Sequence, residues 1–325
     1  MAGRLAGRVA IITGASRGLG QYCALGFARE GAKVVVAART EAVADPRLPG
    51  SIHETVATIQ QTGGDAIAVP CNVVSMESVE QMVETALSRY GRIDILMTNA
   101  GVQPTGGVST LKIKSLELEF NINVHGTIRC IRAVLPAMQA QKSGNIITVS
   151  SVAAERANSH YAATKLAVEA MTRSLANELR DQNIAVNALK PVTSIDTPGR
   201  LFGRAEGRRT GASDDLPTEE SYVEAAILLA LQTPASFTGQ VANDAQLIER
   251  FASADAKARF QSGIRNRGSP RCAMSCVVES TIRTPASSGR HRRFLRAAGQ
   301  AALMCEVGTS CSFSRVGYTP AFKES

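Results

Sequence analysis

The chain has 325 residues, 36 Lys and Arg against 28 Asp and Glu for a formal net charge of +8, and 44% hydrophobic residues, enough to bury a substantial core in one large domain or two. Charge is uneven: residues 251–325 hold 12 of the basic and 4 of the acidic side chains, which leaves residues 1–250 with 24 of each and no net field to attract a nucleic acid. The seven cysteines show no paired C-x-x-C or Cys/His ligand spacing, so no metal is expected, and the longest apolar run, 225–231, is too short to span a bilayer.

Residues 9–12 are a continuous apolar run suited to a strand buried on both faces, ended by Thr13 and Gly14. Gly14, Gly18 and Gly20 leave no Cβ in the way of a phosphate. With Ser16, Arg17 and Leu19 they form a turn whose amides and following helix N-terminus could cradle a nucleotide. The G-x-x-x-G-x-G spacing alone also suits an ordinary strand–helix corner. A helix is expected over 19–30, stopped by Gly31, and a second strand over 33–38.

Arg39 follows that strand, where dinucleotide folds carry an acid for the ribose 2′-hydroxyl or a base for a 2′-phosphate. Arg39 and Arg17 together favour NADP(H) over NAD(H); the plainer reading is two solvated surface arginines. A loop containing Pro46, Pro49 and Gly50 is longer than most connections. Further alternation follows: helix 52–61, strand 65–70, helix 76–90 and strand 93–97, which opens into Asn99, Ala100 and Gly101. This pattern predicts an α/β fold, a doubly wound parallel sheet with helices on both faces.

Tyr161 and Lys165 stand four apart in a segment free of Gly and Pro, on one face of a predicted helix. A phenol with a pKa of about 10 becomes a usable acid when an adjacent ammonium lowers it by roughly 1–3 units. A carbonyl that receives hydride also needs a donor aimed at its oxygen, and Ser151, after the strand at 145–149, lies at the same carboxyl edge of the sheet as the glycine turn. His125 and His160 are close in sequence, but lone histidines are more often structural, and the Tyr–Lys pair already supplies an acid. The helix after Tyr161 is apolar nearly all round, with Ala163, Leu166, Ala167, Ala170, Met171 and Leu175. It calls for a second subunit as cover.

TGASRGLG at 13–20, NAG at 99–101, NINVHGT at 121–127 and YAATK at 161–165, in that order, resemble the motifs of the short-chain dehydrogenase/reductase family. The long loop before residue 52 resembles an insertion in a subset that includes the hydroxysteroid-dehydrogenase-like proteins. The resemblance implies a Rossmann-type domain of about seven strands over 1–250 and hydride transfer between NADP(H) and a small carbonyl or secondary alcohol. It implies Tyr161 as acid/base, Lys165 on the ribose, Ser151 on the substrate oxygen and Asn123 holding a relay water. Asn72 and Val73 would meet the adenine end and Thr197 the nicotinamide amide, in a homodimer or homotetramer; the cysteine usage and an N-terminus without an apolar h-region make a cytoplasmic protein the expectation.

Four departures stand against that pattern. The segment from Ser151 to Tyr161 is shorter than the family's, so Ser151 is tightened into place, or Ser150 or Ser159 supplies the hydroxyl, or the site is impaired. Asn72 replaces an Asp, Val192 a frequent Gly, and Asn243-Asp244 a glycine pair. The alternative reading is a catalytically impaired NADP(H)-binding regulatory or scaffold protein. Glycines at 199, 203, 207 and 211 among Arg200, Arg204, Arg208 and Arg209 suggest a flexible lid. Residues 251–325 read as a basic, low-order tail without family resemblance.

Overall fold

The computed structural model describes residues 2–265 apart from 44, 157–158, 193–194, 196 and 199–218. The stretch read as a lid and residues 266–325 of the expected tail lie outside the described residues.

Seven strands form one parallel sheet in the order β3-β2-β1-β4-β5-β6-β7. They are β1 (Val9–Thr13), β2 (Lys33–Ala38), β3 (Ala66–Pro70), β4 (Ile95–Thr98), β5 (Gly144–Val149), β6 (Ile184–Lys190) and β7 (Val241–Asn243). β1, β4 and β5 are buried at every residue, as strands covered by helices on both faces must be. The order reverses between β1 and β4, and there the strand ends open a crevice for a ligand.

Helices α1 (Gly18–Arg29), α2 (Ile52–Gln61) and α8 (Glu219–Ala230) cover one face. Phe27, Ile59 and Tyr222 pack there against Ile12, Val36, Ile147 and Leu189. The other face carries α3 (Met76–Tyr90), α5 (Gly126–Gln141) and α7 (His160–Glu178), with Met82, Cys130, Val134 and Ala176 packed against Ile11, Val35, Ile146 and Val186. Odd and even strand positions therefore feed opposite layers, as a period of two requires. Helix α4 (Ile113–Phe120) runs into α5 through a single π-helical turn, Asn121–His125, and the four-residue α6 is Ala153–Arg156.

One departure gains a structural role and one expectation changes. Asn243-Asp244, read as a lost glycine pair, opens α9 (Asp244–Phe251): the Asn243 side chain accepts from the Gln246 amide while the Gln246 side chain accepts from the Asn243 amide, a reciprocal cap. Residues 254–265, placed in the low-order tail, form helix α10 (Ala254–Arg265). Among its described side chains the large apolar one is Phe260, buried against Leu228 and Ile248, and the alanines around it give a weak periodicity in the sequence.

Candidate active site

The glycine turn is locked to the end of β4. Asn99 Nδ2 donates to the carbonyls of Thr13 (3.0 Å) and Gly14 (3.2 Å), and Thr13 Oγ1 accepts from the amides of Asn99 and Ala100, both at 3.1 Å. Gly14 and Gly18 have φ of +67° and +61°, which side chains resist. A Cβ on Gly20 would stand 2.4 Å from Asn99 Nδ2 and 2.5 Å from the Gly14 oxygen, so this corner admits only glycine. Helix α1 begins here with no side-chain cap, and its first amides are left for an anion. Thr197 lies across the turn, 3.3 Å from a Cβ built on Gly18. Ser16 is buried and Leu19 half-buried beside it.

The inserted loop docks on this turn. Arg17 Nη2 donates to the Gly50 carbonyl at 3.1 Å, and Gly50, at φ +107°, sits so close that a Cβ would meet the Ser16 carbonyl at 2.4 Å. Part of the Arg17 guanidinium is thus engaged by the chain itself. Arg39 is exposed at the end of β2. Asn72 is exposed at the end of β3, its Oδ1 accepting from the Val74 amide at 3.3 Å, and Val73 is buried against Gly126.

On the other side of the crevice the π-helical turn presents Asn123, buried at 1% exposure. Its carboxamide accepts from the Val102 amide (2.9 Å) and donates to the Val102 carbonyl (2.9 Å) and Thr164 Oγ1 (3.1 Å), so it joins the loop after Gly101 to α7. Lys165, also buried, donates to the Val149 carbonyl at 2.8 Å and lies 5.5 Å from the Tyr161 ring centroid. A Cβ on Gly101 would be 3.3 Å from Asn123 Oδ1 and 3.8 Å from Lys165 Nζ, which sets those two groups around one point.

The three candidate hydroxyls separate by their partners. Ser150 is buried and donates to Glu169 Oε1 at 2.6 Å, and Ser159 caps α7 by accepting from the Ala162 amide. Ser151 is half-buried, and its Oγ accepts from the Ala153 amide at 3.2 Å at the start of α6. The first part of the shortened segment, residues 151–156, is therefore a tight turn and one turn of helix, with Ser151 at its head.

Sequence reasoning passed over one pair. His160 Nδ1 lies 2.5 Å from Glu119 Oε2 and its Nε2 3.0 Å from the Gly106 carbonyl, with the two side chains 4% and 0% exposed. A carbonyl only accepts, so Nε2 carries a hydrogen, and one further proton is shared between Nδ1 and the carboxyl. Burial pushes the Glu119 carboxyl above the usual range, while His160 and the Lys165 ammonium pull it back. The pair straps α4 to the first turn of α7, one residue before Tyr161. The only sequence signal was a Glu and a His at apolar positions of two helices. His125 is exposed.

A parallel 3-2-1-4-5-6-7 sheet with a glycine cradle and a Tyr–Lys helix at its carboxyl edge defines a nicotinamide-dependent oxidoreductase of the Rossmann type. Residues 8–200 match the family model for short chain dehydrogenase, and the chain belongs to the short-chain dehydrogenase/reductase family of NAD(P)-dependent enzymes. It is 38% identical to the 3-oxoacyl-[acyl-carrier-protein] reductase of Synechocystis over 58% of this chain and 74% of that one. It is 32% identical to hydroxysteroid dehydrogenase-like protein 2 of Danio rerio over 76% of this chain, which spans 59% of the zebrafish protein. A Beutenbergia cavernae structure, described as an NAD(P)-dependent gluconate 5-dehydrogenase with NADP bound at low occupancy, superposes with a TM-score of 0.63 at 30% identity, covering 74% of this chain and 96% of that one. No helix among the described residues is long and apolar enough to cross a membrane.

Proposed function

We propose that this chain interconverts a small carbonyl compound and its secondary alcohol with NADP(H) in preference to NAD(H), Tyr161 exchanging the proton. The observation that carries the reading is the convergence of Asn123 and Lys165 on Gly101, with Tyr161 on the same helix, one residue beyond the backbone that locks the glycine turn. The cradle fits a dinucleotide, because its glycines are held where any side chain would fill the space and the α1 amides are uncapped. Gly14, Ser16, Gly18, Leu19 and Gly20 hold the pyrophosphate in this reading, and Arg39 and Arg17 the 2′-phosphate. Asn72 and Val73 hold the adenine; Asn99, Ala100, Gly101 and Thr197 hold the nicotinamide end. The NADP in the Beutenbergia structure supports the same choice.

The nicotinamide, when bound, supplies or accepts the hydride. Tyr161 Oη gives its proton to the carbonyl oxygen in reduction and takes it back in oxidation, and the Lys165 ammonium stabilises the phenolate left behind. Ser151 Oγ donates to the same substrate oxygen as negative charge develops on it. Asn123 Oδ1 keeps a lone pair beyond its bond to Val102 for a water that reprotonates the site. Residues 1–250 carry the cofactor and the chemistry, and two or four copies assemble through α7.

Full-length protein should oxidise NADPH with one or more of a panel of ketones, followed at the nicotinamide absorbance. Tyr161→Phe should lower kcat by about 10²–10⁴-fold with NADPH affinity little changed, and an unaltered rate in that variant would overturn the assignment. The rival reading, an impaired NADP(H)-binding regulatory or scaffold protein, rests on the shortened Ser151–Tyr161 segment. Tight NADPH binding with no turnover of any ketone or alcohol would favour it.

A further inference from the structure

Lys190 ends β6, and no motif accounts for it. Ile184 and Val186 face the layer of α3, α5 and α7, while Leu189 faces the opposite layer. By that alternation Lys190 leaves the sheet on the α7 side, the side of Tyr161. The Ser150 amide donates to the Leu189 carbonyl at 2.8 Å, so Lys190 emerges beside Ser150 and Ser151. Its ammonium meets Glu155 Oε1 at 2.6 Å, on the four-residue α6 between Ser151 and Tyr161.

The two partners are unequal. The Lys190 side chain is 11% exposed and held by a sheet strand; that of Glu155 is 58% exposed and sits on one turn of helix. Rotating the glutamate into water moves no backbone, whereas a sheltered ammonium left without an anion is strongly disfavoured. Such a cation accepts a replacement anion readily. Two buried carboxyls of this face are already engaged: Glu169 takes the Ser150 hydroxyl and Glu119 the His160 ring.

We propose that Lys190 anchors a carboxylate on the substrate and that Glu155 holds its place until such a substrate enters. The inference deepens the reductase reading and rests on it: the favoured substrates are oxo acids, with the carbonyl at Tyr161 and Ser151 and the carboxylate at Lys190.

The test compares pentanoate with pentanamide, nearly equal in shape and differing in charge, titrated calorimetrically into the full-length protein with and without NADPH. Pentanoate should bind about tenfold or more tighter than pentanamide, as one charge-assisted bond allows. Lys190→Met should bring the two ligands level. Glu155→Gln should tighten pentanoate by about threefold or more and leave pentanamide unmoved, because the internal competitor has lost its charge. Equal affinities in the wild type, or a Glu155→Gln change that shifts both ligands alike, would overturn the inference, and the Glu155 arm decides even if Lys190→Met fails to fold. NADPH oxidation with the ketone panel, run in parallel, reads the reductase proposal separately, since the acid–amide comparison is a binding measurement that is also made on the protein alone.

Discussion

His160 and Glu119 hold one proton between them at a place closed to water, and this makes the pair costly to break. Removing the imidazole by His160→Ala leaves a carboxyl without a partner, one of whose oxygens, Oε1, already lacks a hydrogen bond in the described structure. The variant should lose about 3 kcal/mol of stability, read as a lower urea midpoint. Adding Glu119→Gln should recover part of the loss, because the group left behind can no longer ionise. A wild-type midpoint for His160→Ala would mean that water reaches this pair freely. At the same scale, burial pushes the Cys71 thiol up to about 11 and the Cys23 and Cys130 thiols higher still, so none of the three is a thiolate near neutrality. Their role is packing.

At the scale of elements, Asp244 joins three segments. In the first turn of α9, its carboxyl accepts from the Val192 amide after β6 (2.6 Å) and from Ser221 Oγ on α8 (2.8 Å). The floor beneath the end of β6 is thereby fixed, although Val192 and Asn243-Asp244 both depart from the family's glycines. Burial raises the Asp244 carboxyl above its ordinary range, against those hydrogen bonds. An acid raised in the folded state binds more protons there than in the unfolded chain, so its contribution to stability falls as pH rises through the ordinary carboxyl range. It levels off once the folded carboxyl has ionised. Asp244→Asn keeps an acceptor for Val192 and a polar partner for Ser221 without that titration. Its stability relative to wild type should therefore rise as pH is taken upward through the ordinary carboxyl range, about pH 4, and beyond it in urea titrations. A difference that stays flat with pH would show that Asp244 titrates alike in both states.

At the scale of the whole molecule, α7 carries the site on one side and an apolar stripe on the other. Ala163, Leu166 and Ala170 are exposed at helical spacing, Leu166 at 42%. With Tyr161 and Lys165 on the same helix, an assembly through this stripe would stiffen the site that α7 carries. Light scattering after gel filtration should give a dimer or tetramer, and Leu166→Glu should shift it toward monomer with its far-ultraviolet circular dichroism unchanged. A monomeric wild type at micromolar concentration would remove the assembly.

Strand–helix alternation, the glycines at 14, 18 and 20 and the spacing of Tyr161 and Lys165 were legible in the chain because they depend on local periodicity and on one residue type fitting one backbone shape. The seven-stranded sheet and the crevice at its reversal follow from such signals. The assignment of three neighbouring serines was not legible: Ser150, Ser151 and Ser159 have the same chemistry and differ only in the partners that Glu169, Ala153 and Ala162 bring to them. His160 with Glu119, Lys190 with Glu155 and Phe260 with Leu228 likewise join residues far apart in the chain. What the sequence determined by itself was the architecture and the edge of the sheet at which the glycine turn and the Tyr–Lys helix stand; which of the three serines keeps a free hydroxyl proton and which charges lie buried nearby were decided by tertiary contacts, because burial and pairing are properties of neighbours that meet only in the folded chain.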